Sequence, residues 1–154
     1  MDMERKIARY ARIIEQLTTL FSKTTDPFAR MTTIAAVLHN KFDYYFWTGF
    51  YRLVDGELTV TTYQGSVACL VLKKHVGVCW AAIDSGELTI VGDVEAFEGH
   101  IACDARSRSE IVIPVRNARG EVVAVMDVDS KRHHSFDDTD AKGLQTIVDL
   151  IYTH

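Results

Sequence analysis

The sequence is short of the features that would place it in several common classes. It has only three cysteines in 154 residues, Cys69, Cys79 and Cys103, an odd number and too few to staple a fold. Their separations match no CxxC or CxxH spacing, so a structural zinc site lacks its ligands and no metal is expected. Two prolines occur, Pro27 and Pro114, and there is no Pro/Gly-rich linker, low-complexity tract or internal repeat. A chain of this length without a linker reads as a single domain over residues 1–154 with one core. No apolar run approaches the roughly 18 residues of a membrane span, so no membrane partner is expected. The opening stretch MDMERKIARYARII is charged throughout and lacks the apolar centre of a signal peptide, which points to a reducing, cytoplasmic location. Basic charge is not in excess either. Lys and Arg number 17 against 21 Asp and Glu, a net charge of -4, and this argues against nucleic acid as a partner of the chain as a whole. A phosphate-cradling glycine loop and a dinucleotide fingerprint are both missing, and no organic cofactor is implied.

What the chain does have is pattern. Ile7, Tyr10, Ile13, Ile14, Leu17, Leu20 and Phe21 fall at helical spacing and predict an amphipathic helix over 3–22. Asp26-Pro27 is a cap and first-turn signal that opens a second helix to about Asn40, with Ile34, Val37 and Leu38 inward. Residues 44–54, YYFWTGFYRLV, read as an aromatic-rich strand that turns at Asp55-Gly56 into the partner ELTVTTYQG. A short strand at 70–72, a short helix at 76–85 ended by Gly86, and a brief strand at 88–92 follow. IVIPV and EVVAVMDVD form a second hairpin through the turn Asn117-Ala118-Arg119-Gly120. Asp137 and Asp138 cap a last helix with Leu144, Ile147, Val148 and Ile151 inward. Consecutive hairpins with helices on them predict an α+β fold built on an antiparallel sheet. The connection over 93–108 is long for a compact domain; it carries Phe97, His100, Ile101 and Cys103, and such loops are usually functional or disordered.

Three groups of residues could carry chemistry. Cys103 lies just before Arg106 and Arg108, and nearby positive charge favours the nucleophilic thiolate; the plainer reading is a surface loop with an incidental cysteine. Glu110 opens the strand that follows. Asp127 and Asp129 are two apart on a strand and so share a face, which is costly at the edge of a core unless the acids are exposed or used; the plainer reading is a polar strand end. Trp47 and Tyr51 also share a face, with Gly49 leaving a gap between them, and they wall either a pocket for an apolar group or an ordinary aromatic core. A pairing of Cys103 with His100 for acyl transfer is weakly supported by a three-residue spacing on a loop, and it leaves the other cysteines without a role.

Taken together, Gly99-His100-Ile101-Ala102-Cys103-Asp104 and then Ser107-Arg108-Ser109-Glu110-Ile111-Val112 resemble the signature of the free methionine-(R)-sulfoxide reductases, which are GAF-domain proteins. The resemblance extends to Trp47-Thr48-Gly49-Phe50-Tyr51, to Gln64-Gly65 and Ala68-Cys69, to Gly77-Val78-Cys79, and to Asp127-Val128-Asp129-Ser130 with Phe136-Asp137, so it spans about residues 10–152. It implies a GAF-like antiparallel sheet of about six strands flanked by helices. It implies reduction of free L-methionine-(R)-sulfoxide, with Cys103 as the attacking thiolate and Cys69 or Cys79 as the resolving thiol, Cys69–Cys103 being the first choice of pair. Glu110 and Asp129 would meet the sulfoxide with Asp127 beside them, Trp47 and Tyr51 would hold its methyl group, and a thioredoxin-like reductant would restore the thiols without a cofactor. The alternative is a non-catalytic GAF sensor module for a small molecule, which would need neither three thiols nor an acid cluster. A structural role in a homodimer through helix 3–22 is compatible with the enzyme reading.

Overall fold

Two aspartates start the first two helices. Asp2 accepts a hydrogen bond from the Arg5 N–H at the head of α1 (Met3–Leu20), and Asp26 accepts from the Ala29 N–H at the head of α2 (Pro27–Lys41). These coordinates come from a computed structural model that describes residues 1–100 and 103–154; Ile101 and Ala102, which the sequence places in the long loop, lie outside the described residues. Helix α1 buries Tyr10, Ile13 and Leu17 as its spacing predicts, but Ile7 and Leu20 are exposed and Lys6 points inward instead. The reason is on the last helix, α4 (Asp138–Val148). Lys6 Nζ lies 2.8 Å from Asp140 and 3.1 Å from Asp137, and Asp140 also accepts from the Tyr10 and Tyr44 hydroxyls. Burial works against the ammonium, yet the two carboxylates outweigh it and raise the Lys6 pKa. Asp140→Ala leaves the Lys6 ammonium with Asp137 alone and takes the carboxylate acceptor from two phenols. The expected loss in a urea unfolding series is about 3–5 kcal/mol, as for one broken partner of a buried ion pair.

The strands are β1 (Trp47–Val54), β2 (Glu57–Gln64), β3 (Val71–Leu72), β4 (Thr89–Val91), β5 (Ser109–Arg116) and β6 (Val122–Ser130), and they form one antiparallel sheet in the order β3-β2-β1-β6-β5-β4. β1 begins at Trp47 rather than at residue 44. Tyr44 and Tyr45 belong instead to the preceding turn, where Tyr45 stacks on Phe42 and both tyrosines pack near Phe136. On one face of the sheet Phe50, Ile111, Ile113, Met126 and Val128 pack under α1, α2 and α4. On the other face Trp47, Tyr51, Val112 and Val125 meet α3 (Gly77–Ser85), whose Val78, Cys79, Trp80 and Ala82 are buried. Gly86 closes α3 in the left-handed region, φ +70°, where glycine carries no steric penalty. Among the described residues no helix is long and apolar enough to cross a membrane.

Candidate active site

The register of the three central strands assembles the acids. Trp47 on β1 pairs with Asp129 on β6, and Asp129 pairs with Glu110 on β5. Two residues further along, Gly49 faces Asp127 and Asp127 faces Val112; the next row is Tyr51, Val125 and Pro114. Side chains alternate along a strand, so Trp47, Tyr51, Glu110, Asp127 and Asp129 all project from the face that carries α3. All five line one pocket, together with Cys79, Cys103 and His100, in about 590 Å³ of space counting its open mouth.

Like charges directly opposite one another across strands are destabilising, and here the buried Glu110 faces the half-buried Asp129. Glu110 and Asp127 are 6% and 5% exposed. Burial, with the charges of Asp127 and Asp129, pushes the Glu110 pKa well above the usual carboxylate range. Burial and the Asp127 charge do the same to Asp129, and burial also raises Asp127. The cluster therefore holds its protons to higher pH than free carboxyls do. Cys79 lies against it. Burial and the charges of Asp127, Glu110 and Asp129 keep this thiol protonated, and its sulfur lies within 4.8 Å of an Asp127 carboxyl oxygen. Burial and Asp127 likewise keep the Tyr51 phenol protonated. The ligand atoms of Cys79, Glu110 and Asp127 lie within 4.8 Å of one another, a set that could meet a cation. Metal ligands must be deprotonated, however, and burial disfavours that for all three.

The pocket mouth is formed by two loops joined by a disulfide. Cys69 and Cys103, 34 residues apart, are bonded with their Cα atoms at 5.6 Å, while Cys79 is free and buried. Cys103 is exposed and Cys69 partly so. The arginines after Cys103 make their hydrogen bonds to neighbours in the same loop. Arg106 grips Asp104 through Nε (3.0 Å) and a terminal nitrogen (2.7 Å) and lies over the Phe46 ring. Arg108 donates to the carbonyls of Ala105 and Ser107.

The gap beside Gly49 is not open either. A Cβ there would lie 2.7 Å from the Trp47 ring and 2.4 Å from Tyr63 Cβ, so the absent side chain makes room for the indole itself. Trp47 stacks between Tyr51 and Tyr63, with ring centroids at 5.8 and 5.3 Å. The pocket thus gathers Trp47, Tyr51, Cys79, Cys103, Glu110, Asp127 and Asp129, with Cys69 bonded to Cys103. It also uses residues that the sequence did not mark, chiefly Ser66 and Asp104. The Trp47 indole N–H donates to the Ser66 carbonyl (3.0 Å) and the Ser66 hydroxyl donates to Asp104 (2.9 Å). The partner strand read from the sequence ends at Gly65, and nothing there signalled what the segment after it touches. His100 lines the pocket, and burial lowers its pKa.

The fold and the site can be set against known proteins. A family described as GAF domain matches residues 30–152. GAF domain-containing protein A of Dictyostelium discoideum is 39% identical over 147 residues, covering 95% of this chain and 92% of its own length. The free methionine-R-sulfoxide reductase of Escherichia coli is 34% identical over 139 residues, covering 90% of this chain and 84% of its own. The X-ray structure of free methionine-R-sulfoxide reductase from Neisseria meningitidis in complex with its substrate superimposes with a TM-score of 0.90 at 37% identity, over 96% of this chain and 88% of that one. On these similarities the chain belongs to the GAF domain family and, within it, to the free methionine-R-sulfoxide reductases.

Proposed function

We propose that the protein reduces free L-methionine-(R)-sulfoxide to methionine, with Cys103 as the nucleophile. The observation that carries this reading is the Cys69–Cys103 disulfide at the mouth of a pocket whose floor holds three carboxyl groups that burial keeps partly protonated. In the reduced protein the Cys103 thiolate attacks the sulfoxide sulfur. The oxygen gains negative charge as the new bond forms, and an acid must meet it. Glu110 and Asp129, opposite each other across β5 and β6, supply that proton. Asp127 spreads the remaining charge over the cluster, and a carboxylate of the same group pairs with the ammonium of a free amino acid. Trp47 and Tyr51 hold the methyl group, and the Tyr51 hydroxyl, kept protonated, is a further donor.

Methionine leaves and Cys103 becomes a sulfenic acid. Cys69 condenses with it to give the disulfide. Cys79, buried and held as a thiol, acts as a donor to Asp127 rather than as the resolving residue. A thioredoxin-like dithiol reduces the disulfide by exchange and completes the cycle in a reducing compartment. The whole chain acts as a single catalytic domain.

The deciding measurement is a substrate panel with a dithiol as reductant: free R-sulfoxide, free S-sulfoxide and peptide-bound sulfoxide. Methionine is expected from the free R form, with at least about a tenfold preference over the others, because the S form turns its oxygen away from the acids and the peptide-bound form has no free ammonium. A protein that binds the sulfoxide and releases no methionine from any form is a sensor module instead.

A further inference from the structure

Ser66 sits where three parts of the pocket meet. Its carbonyl accepts from the Trp47 indole, and its hydroxyl donates to Asp104. It stands three residues before Cys69, and Asp104 directly follows Cys103. The segment is held from below as well: Gly65 adopts φ +123°, and a Cβ there would lie 3.0 Å from both Trp47 Cδ1 and the Phe46 carbonyl oxygen, so the backbone rests on the start of β1. On the other side, the Arg106 guanidinium and backbone N–H hold the Asp104 carboxylate well below its usual pKa, so the acceptor stays ionised.

The two cysteine segments are thus joined twice, once through sulfur and once through this hydrogen bond. Only the second tie can be present before the disulfide forms. The cysteines are 34 residues apart on separate loops, and bringing such loops together costs closure entropy. A charge-assisted hydrogen bond beside each cysteine meets that cost in advance and raises the effective concentration of one sulfur at the other.

We propose that the Ser66–Asp104 hydrogen bond is the latch that keeps Cys69 within reach of oxidised Cys103, which makes Ser66 a positioning residue for disulfide formation. This rests on the reading of Cys103 as nucleophile and Cys69 as resolving thiol. In the step concerned, the Cys69 sulfur attacks the sulfur of the Cys103 sulfenic acid. The S–S bond forms as the S–O bond breaks, and the hydroxide leaves with the Cys69 proton as water. No further oxidant or reductant enters.

Ser66→Ala removes the latch and leaves the backbone carbonyl that the Trp47 indole uses. The test is a single turnover of the pre-reduced protein with free L-methionine-(R)-sulfoxide and no reductant. Methionine, disulfide and sulfenic acid are followed separately, the last with a β-diketone trap. The expected result is disulfide formation slowed about tenfold or more, more trapped sulfenic acid on Cys103, and methionine release affected far less. Ser66→Thr, which keeps the hydroxyl, should return most of the rate. Asp104→Ala, which breaks the same bond from the other side, should reproduce the delay. A disulfide that forms at the wild-type rate in Ser66→Ala overturns the proposal, as does a Ser66→Thr variant no faster than Ser66→Ala. Wild-type protein that releases no methionine refutes the functional reading itself, a result distinct from either of these.

Discussion

Cys103→Ser is expected to lower methionine formation from free L-methionine-(R)-sulfoxide by at least about a thousandfold, because a serine hydroxyl is a far weaker nucleophile towards sulfur than a thiolate. The fold should tolerate the change. Cys103 is exposed, and its loss removes the disulfide without opening a cavity in either apolar layer. The other two cysteines should separate from it clearly. Cys69→Ser should still release about one methionine per chain from pre-reduced protein and then stall at the sulfenic acid unless a small thiol is added. Cys79→Ser keeps a donor of similar size beside Asp127, so it should still release its first methionine and form the Cys69–Cys103 disulfide. Activity that survives in Cys103→Ser, measured as methionine released with a dithiol present, would sink the assignment of the nucleophile.

The second large effect is expected at Glu110. Glu110→Gln removes a proton donor from the oxygen of the sulfoxide, and kcat/KM should fall by about 10²–10⁴-fold, the usual contribution of a positioned acid. The pH dependence should change with it. In the wild type the donor is lost as pH rises through the elevated pKa of the acid cluster, so activity falls on the alkaline side; in Glu110→Gln that limb should flatten.

Stability moves in a related way. The unfolded chain ionises Glu110 near its ordinary value of 4.5, whereas the folded protein holds the proton to higher pH. Above that ordinary value the unfolded state binds fewer protons than the folded one, so stability declines with rising pH until the folded group also ionises. Glu110→Gln removes one such group, and a urea series from mildly acid to mildly alkaline pH should show a shallower decline than in the wild type. A variant with unchanged slope would mean that Glu110 is ionised in the folded protein.

Much of this arrangement was readable from residue spacing. The Asp26-Pro27 signal, the Asp55-Gly56 turn and the alternation in EVVAVMDVD each correspond to an observed element. They are local signals, set by capping, turn chemistry and the two-residue pleat. Same-face placement of Asp127 and Asp129, and of Trp47 and Tyr51, followed from that pleat alone. The pairing of β1 with β6 did not follow, because the two strands are far apart in sequence and no turn joins them. It is this pairing that brings Trp47 opposite Asp129. The inward Lys6 has a related cause: helical periodicity marks apolar positions alone, and it is the distant Asp140 that makes a buried ammonium favourable. The salt bridge of Arg106 to Asp104 was likewise not legible, since spacing marks a charge near Cys103 and not the carboxylate that it meets.

The pleat that places the acids has one more consequence. Along β6, Met126 and Val128 enter the apolar layer beneath the helices while Asp127 and Asp129 enter the pocket. A slip of β6 by one residue would exchange the two sets, sinking carboxyls into hydrocarbon and turning Met126 into the pocket. Misaligned chains therefore eliminate themselves: any copy stable enough to persist already carries its acids on the correct side. Selection for a sound core and selection for chemistry thus act on the same alignment, and neither can drift without the other.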